Sequence, residues 1–135
     1  ASVELNTKEL KGLDKNKICV FSYGYIPVMT LSHCPIQLNT NCTCSTCKYS
    51  GDFYYKDKKC SYLVKRTKIK HCYFNLYNPN IMDIRGKFDK IPYQNYINMV
   101  QLDKRAAKQV LADYLSKSGE KQENSTCGHL FRGVN

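Results

Sequence analysis

The sequence predicts a mixed α/β or α+β domain, and three observations carry that expectation. β-prone runs recur at Ile18–Phe21, Phe53–Tyr55, Cys60–Val64 and Tyr93–Val100, each bounded by polar or turn-forming residues. One stretch, Lys104 to Lys117, instead repeats apolar residues at helical spacing. Between strands lies a polar, cysteine-bearing segment, Pro35 to Asp52, with too few apolar residues to order itself by packing. At 135 residues the chain fits a single domain, 1–135, able to bury a core with little surplus stability.

The elements follow in order. Ser2-Val3-Glu4-Leu5 alternates like a strand, Asn6 or Thr7 is placed to cap a helix from Lys8 to Leu13, and Ile18–Phe21 is β-prone, so the opening reads as strand, helix, strand. Gly24 and Pro27 punctuate the chain before an apolar stretch, Val28–Leu31, that delivers His33-Cys34-Pro35. Phe53–Tyr55 and Cys60–Val64, joined by Lys56-Asp57-Lys58-Lys59, read as a β-hairpin with a charged turn. Ile69 to Phe74 is a further β-prone piece carrying Cys72, and Ile81–Ile84 leads to Gly86. Asp103 caps the 104–117 helix, whose expected apolar face is Ala107, Val110, Leu111, Tyr114 and Leu115, and Gly119 stops it. Residues 120–124 read as a solvated linker opening a carboxy-terminal tail, 120–135.

The cysteines carry the chemistry. Cys34, Cys42, Cys44, Cys47 and Cys72 fall within one stretch, and Cys44-Ser45-Thr46-Cys47 is a C-x-x-C knuckle that lets two thiolates on one turn converge on an ion. Two distant single cysteines can complete four ligands. Eight cysteines would also allow a disulfide framework. Against it, the cysteines bunch in the middle of the chain, the C-T-C-S-T-C neighbours are too close to pair comfortably, and Ala-Ser-Val-Glu-Leu-Asn lacks the charged start and apolar core of a signal peptide. A reduced, metal-binding set in a cytoplasm is the favoured expectation. Cys19, between Ile18 and Val20, and Cys60 read as small buried hydrophobes.

Composition narrows the partners. A net charge of +10 and a pI near 9.2 favour anionic partners such as RNA, and lysines 56, 58, 59, 65, 68 and 70 with Arg66 crowd the hairpin among Tyr54, Tyr55 and Tyr62. Much of the excess is lysine alongside abundant Asn and Tyr, a mixture that A/T-rich coding also produces, so charge alone specifies no nucleic acid. No apolar run approaches the ~20 residues of a membrane span. There is no H-E-x-x-H, and the acidic residues are scattered beside lysines, which argues against a zinc protease or a paired-carboxylate hydrolase. A Cys34 nucleophile would need His33, His71 or His129 within hydrogen-bond reach, and adjacency in sequence does not supply that. Gly128 and Gly133 flank His129 and Arg132, a candidate site for an anion or substrate to which the backbone could come close.

Four stretches, Tyr23-Gly24-Tyr25-Ile26-Pro27-Val28-Met29, His33-Cys34-Pro35-Ile36, Cys72 with Leu76-Tyr77-Asn78, and Gly128-His129-Leu130-Phe131-Arg132-Gly133-Val134, resemble the collagenase-like peptidase family U thirty-two, in the carboxy-terminal part of its long members. The resemblance implies a partial (βα) barrel-like segment with a cysteine-bearing β-hairpin insertion over 35–74, cut from a larger bacterial protein, since a whole barrel needs ~200 residues or more. It implies a peptidase (a hydrolase), or an enzyme of cluster-dependent RNA-base hydroxylation, in the full-length protein, with this fragment inactive alone. The implied ligands are Cys34, Cys44, Cys47 and Cys72, with Cys42 a substitute for Cys44, holding zinc or a four-iron four-sulfur cluster. The implied partners are the rest of the polypeptide, an RNA or protein substrate, or a second copy that covers open sheet edges. The chain departs from the family where Tyr25 and Tyr73 stand in place of arginines and Lys56-Asp57-Lys58 in place of an Asp-Arg-Lys turn, and the loss of two arginines weakens any anion binding that relied on those positions.

Overall fold

Strands outnumber helices in residues 1–68 and 71–131, the part that the computed structural model describes. They are β1 (Cys19–Gly24), β2 (Pro27–Leu31), β3 (Phe53–Lys56), β4 (Ser61–Lys68), β5 (Cys72–Tyr77), β6 (Met82–Asp83) and β7 (Gln94–Ile97), with helices α1 (Pro35–Asn39) and α2 (Lys104–Leu115). The chain divides into two compact units, Ala1–Tyr25 with Asn80–Asn135, and Ile26–Pro79. The 35–74 segment lies wholly inside the second. The class is α+β, with two sheets of order β6-β1-β7 and β2-β5-β4-β3; neither closes into a barrel among the described residues.

In the first unit β1 is central, antiparallel to β6 and parallel to β7. Gly24 ends β1 at φ 113°, where a Cβ would stand 2.2 Å from the Asn98 carbonyl oxygen, so only glycine allows the chain after β7 to come this close. The expected opening strand at Ser2–Leu5 is instead a turn. The Lys8–Leu13 helix is present only as successive turns, stopped at Gly12 with φ 92°. Its cap does form: Asn6 Oδ1 accepts from the Lys8 and Glu9 amides at 2.9 and 3.1 Å, and Glu9 Oε2 accepts from the Asn6 amide at 2.7 Å. A turn this short cannot repay helix nucleation, and the unit uses it to bury Leu10.

α2 starts where expected, with Asp103 Oδ1 accepting from the Ala106 amide at 2.7 Å. Its inward face differs from the apolar reading. Val110, Asp113 and Tyr114 are buried, whereas Leu111 is 43% and Leu115 77% exposed. The reason is a charged cluster. Arg85 donates from Nη2 to Asp83 Oδ2 at 2.8 Å and from Nη1 to Asp113 Oδ2 at 2.7 Å, and lies 5.1 Å above the Tyr23 ring. Asp83 is fully buried and also accepts from the Arg85 and Gln122 amides. Gln109 Nε2 completes Asp113 at 2.8 Å. Tyr114 donates to the Ser22 carbonyl at 2.6 Å, and burial pushes its phenol well above the ordinary range.

The stretch expected as a linker and tail is tied into this unit. Thr126 exchanges hydrogen bonds with the chain around β6, its amide donating to the Ile81 carbonyl and its carbonyl accepting from the Asp83 amide, both at 2.8 Å. Leu130 is buried, and its carbonyl accepts from the Thr7 amide at 2.8 Å.

In the second unit the expected hairpin forms, with Phe53 opposite Val64 and Lys56 opposite Ser61. Its turn is fixed by Asp57, whose Oδ1 accepts from the Lys59 and Cys60 amides at 2.7 Å each, and those bonds hold the carboxyl below its usual range. β5 continues the sheet; of the piece expected from Ile69 to Phe74, residues 69 and 70 lie outside the described residues. Directly opposed residues share a face, so the pairs Phe53–Val64, Val64–Leu76, Arg66–Phe74, Leu31–Phe74 and Lys68–Cys72 place one apolar patch and two cations on the same side. Ile36 from α1 packs there with Val64 and Phe74 to form the core.

Candidate functional site

The loop between α1 and β3 is folded by its own hydroxyls. Thr40 Oγ1 donates to the Ile36 carbonyl at 2.7 Å as α1 ends, and Thr46 donates its amide to the Thr43 carbonyl at 3.1 Å while Thr46 Oγ1 accepts from the Thr43 amide at 3.2 Å. This turn, Thr43 to Thr46, overlaps the knuckle, with Cys44 inside it and Cys47 just past its end. Tyr49 then stacks on Phe53 with centroids 4.2 Å apart, and Phe53 meets Phe74 edge-on at 5.9 Å. The loop is therefore seated on the core through aromatic rings.

The result is a pocket lined by Cys34, Cys42, Cys44, Cys47 and Cys72, with Arg66 and Lys68 on its wall. Its cavity is about 20 Å³, room for one ion or water. Cys34 stands just before Pro35 at the start of α1, Cys72 opens β5, and the other three come from the loop. Cys34, Cys42, Cys47 and Cys72 are half-buried and pack against Ile36, Val64 and Phe74; Cys44 is exposed. All eight cysteines are free thiols. Among the described residues no three His, Cys, Asp or Glu side chains stand close enough to share an ion, so the thiols are gathered but not closed on a point. Among the described residues the donors are soft sulfurs with no carboxylate on the wall, which suits a single zinc ion; a cavity of this size holds a four-iron four-sulfur cluster only if the loop moves outward.

Arg66 is the residue that sequence reasoning misassigned. Counted there with the surface lysines, it instead donates from Nη1 to Cys47 Sγ at 3.6 Å and from Nη2 to the Tyr49 carbonyl. The alternation Val64, Arg66, Lys68 along β4 was the available signal, because residues two apart share a face. Lys65, on the other face, pairs with Asp52 at 2.6 Å.

No histidine lines the pocket among the described residues, so Cys34 has no imidazole base there, and His33 and His71 are exposed. Cys19, expected to be buried, is exposed: as the first residue of β1 it turns outward while Val20 turns in. Cys60 is half-buried in the hairpin turn. His129 sits in the 128–131 turn with Nδ1 buried and without a hydrogen-bond partner among the described residues; Arg132, the other candidate anion binder, lies outside them. Comparison with known protein families, with curated proteins and with solved structures gives no match. No helix among the described residues is long and apolar enough to cross a membrane.

Proposed function

We propose that the Ile26–Pro79 unit holds a four-thiolate metal or iron–sulfur centre on Cys34, Cys44, Cys47 and Cys72, with Cys42 able to replace Cys44, and that the chain is the carboxy-terminal portion of a collagenase-like, family U thirty-two protein. The observation that carries this reading is the meeting of these five cysteines, from three separated stretches of sequence, in one pocket. Two cations on the same wall support it further. Four thiolates around a divalent ion leave net negative charge, which Arg66 and Lys68 would offset. When bound, zinc would cross-link the loop, and a cluster would add electron transfer. In the full-length protein the centre would serve a peptidase or an RNA-modifying enzyme, with β1 and β7 the remnant of a barrel-like segment.

The test is metal and acid-labile sulfide content of protein purified without oxygen, with each of the four cysteines replaced by serine. Iron and sulfide that fall in all four variants are expected for a cluster, and about one zinc per chain for a structural site. Metal-free protein whose fold is unaffected by the substitutions would end the proposal. Cys42→Ser alongside Cys44→Ser decides between those two.

A second reading, a basic RNA-binding module with structural zinc, rests on the hairpin's surface. Tyr54, Tyr55 and Tyr73 are 59%, 65% and 48% exposed, and Tyr54 and Tyr73 share the sheet face opposite Val64. Exposed rings flanked by lysines suit stacking of unpaired bases. Binding of an unstructured oligoribonucleotide that weakens steeply with salt, and by tenfold or more in the double variant Tyr54→Ala with Tyr73→Ala, is the expected result; salt-independent or undetectable binding removes this reading.

A further inference from the structure

The first unit contains a second concave site, of about 290 Å³, whose wall includes Lys87, Lys121, Thr126, Cys127, Gly128 and Phe131. Lys87 is half-buried there. An ammonium has three N–H donors, yet among the described residues its sole acceptor is Cys127 Sγ at 3.6 Å, a weak one, and its other neighbour is the Phe131 ring, 4.6 Å from the centroid. Neither Lys87 nor Lys121 has a carboxylate within ion-pair distance among the described residues, and the buried acids of this unit, Asp83 and Asp113, are paired with Arg85. Two cations thus share a concave wall with no counter-charge among the described residues, and the half-buried Lys87 gives up part of its hydration without a strong acceptor in exchange. The rest of the wall suits one. Thr126 Oγ1 accepts from the Gly128 amide at 3.0 Å, and its own hydroxyl proton has no acceptor among the described residues. Gly128, at φ 56°, presents no side chain to the cleft.

We propose that this cleft binds a small ligand through an oxyanion, a phosphate or carboxylate group, held between Lys87 and Lys121 and completed by the Thr126 hydroxyl, with the Phe131 ring beside the ligand's remainder. The volume lies near the lower limit of ~300 Å³ for small-molecule pockets. The site is in the other unit from the cysteine pocket and does not depend on what that pocket holds.

The experiment is titration of the isotope-labelled full chain with inorganic phosphate and, separately, acetate at low ionic strength, followed by amide shifts, together with site-resolved alkylation of Cys127. Saturable shifts at residues 126–128, slower alkylation of Cys127 but not of Cys19, and at least tenfold weaker binding in Lys87→Met are expected. Tighter saturation by phosphate than by acetate identifies the group as a phosphate, and the reverse as a carboxylate. Lys121→Met, at an exposed position, carries the same test if Lys87→Met does not fold. Shifts that never saturate, spread over all the lysines, or persist unchanged in a folded variant overturn the proposal.

Discussion

Asp83→Ala is expected to destabilise the first unit by about 3–5 kcal/mol, the cost typical of removing one partner from a buried ion pair. Asp83 is fully buried and receives Arg85 through Nε and Nη2, along with the Arg85 and Gln122 amides. Without it a guanidinium with little solvent access keeps only Asp113 and the Tyr23 ring, and two backbone amides lose their acceptor. Asp113→Asn should cost less, because Arg85 retains Asp83. The same cluster sets an acid limit. The Arg85 hydrogen bond, followed by that of Gln109, lowers the Asp113 carboxyl from its ordinary value. A lowered folded pKa means stability that is present above the unfolded value of ~3.9 and lost as pH falls through the folded one. Denaturant melts of the first unit between about pH 5 and pH 2 should therefore lose stability in the wild type and lose less of it in Asp113→Asn. Equal acid sensitivity in the two proteins, or an Asp83→Ala variant as stable as the parent, would contradict this account of the cluster.

This cluster also marks where sequence reasoning stopped. The helix over 104–115 was legible because its cap and its period are local, but the periodicity favoured Leu111 and Leu115, and the fold turned Asp113 inward to meet an arginine 28 positions away. Pairing between distant charges leaves no periodic trace. The hairpin was legible for the opposite reason, since Asp57 and the two flanking runs specify it within a dozen residues. Ser2–Leu5 alternates like a strand but pairs with no strand among the described residues, and alternation alone does not make a strand. The polar 120–124 stretch reads as solvated, and yet Thr126 and Leu130 just beyond it hold the segment to β6 and Thr7 through backbone hydrogen bonds. Of the candidate site, the knuckle was readable from spacing alone, whereas the approach of Arg66 depends on the loop folding back over β4.

On the proposed thiolate centre, adding a chelator to zinc-loaded protein is expected to unfold the second unit while leaving the first intact. The core beneath the cysteines is small, Ile36, Val64 and Phe74 with Leu31, Phe53 and Leu76 partly buried against them, and a core in a unit of under ~70–80 residues rarely supplies more than about 3–5 kcal/mol. The 40–52 loop adds mostly hydroxyl hydrogen bonds that exchange readily with water. A thiolate-bound zinc contributes roughly 10–16 kcal/mol of apparent binding free energy in small peptides, well above what a core of this size supplies. Hydrogen exchange should accordingly show protected amides in β4 and β5 in the loaded protein, protection lost there after chelation, and β1 unchanged throughout. Cys47→Ser should give the chelated pattern without chelator. Arg66→Met should give a partial one, because its guanidinium donates to Cys47 Sγ without being a ligand, and a hydrogen bond to a charged group is worth about 1.5–3 kcal/mol. If β4 and β5 are equally protected with and without metal, the apolar core is sufficient by itself and the cysteines are not what orders this unit.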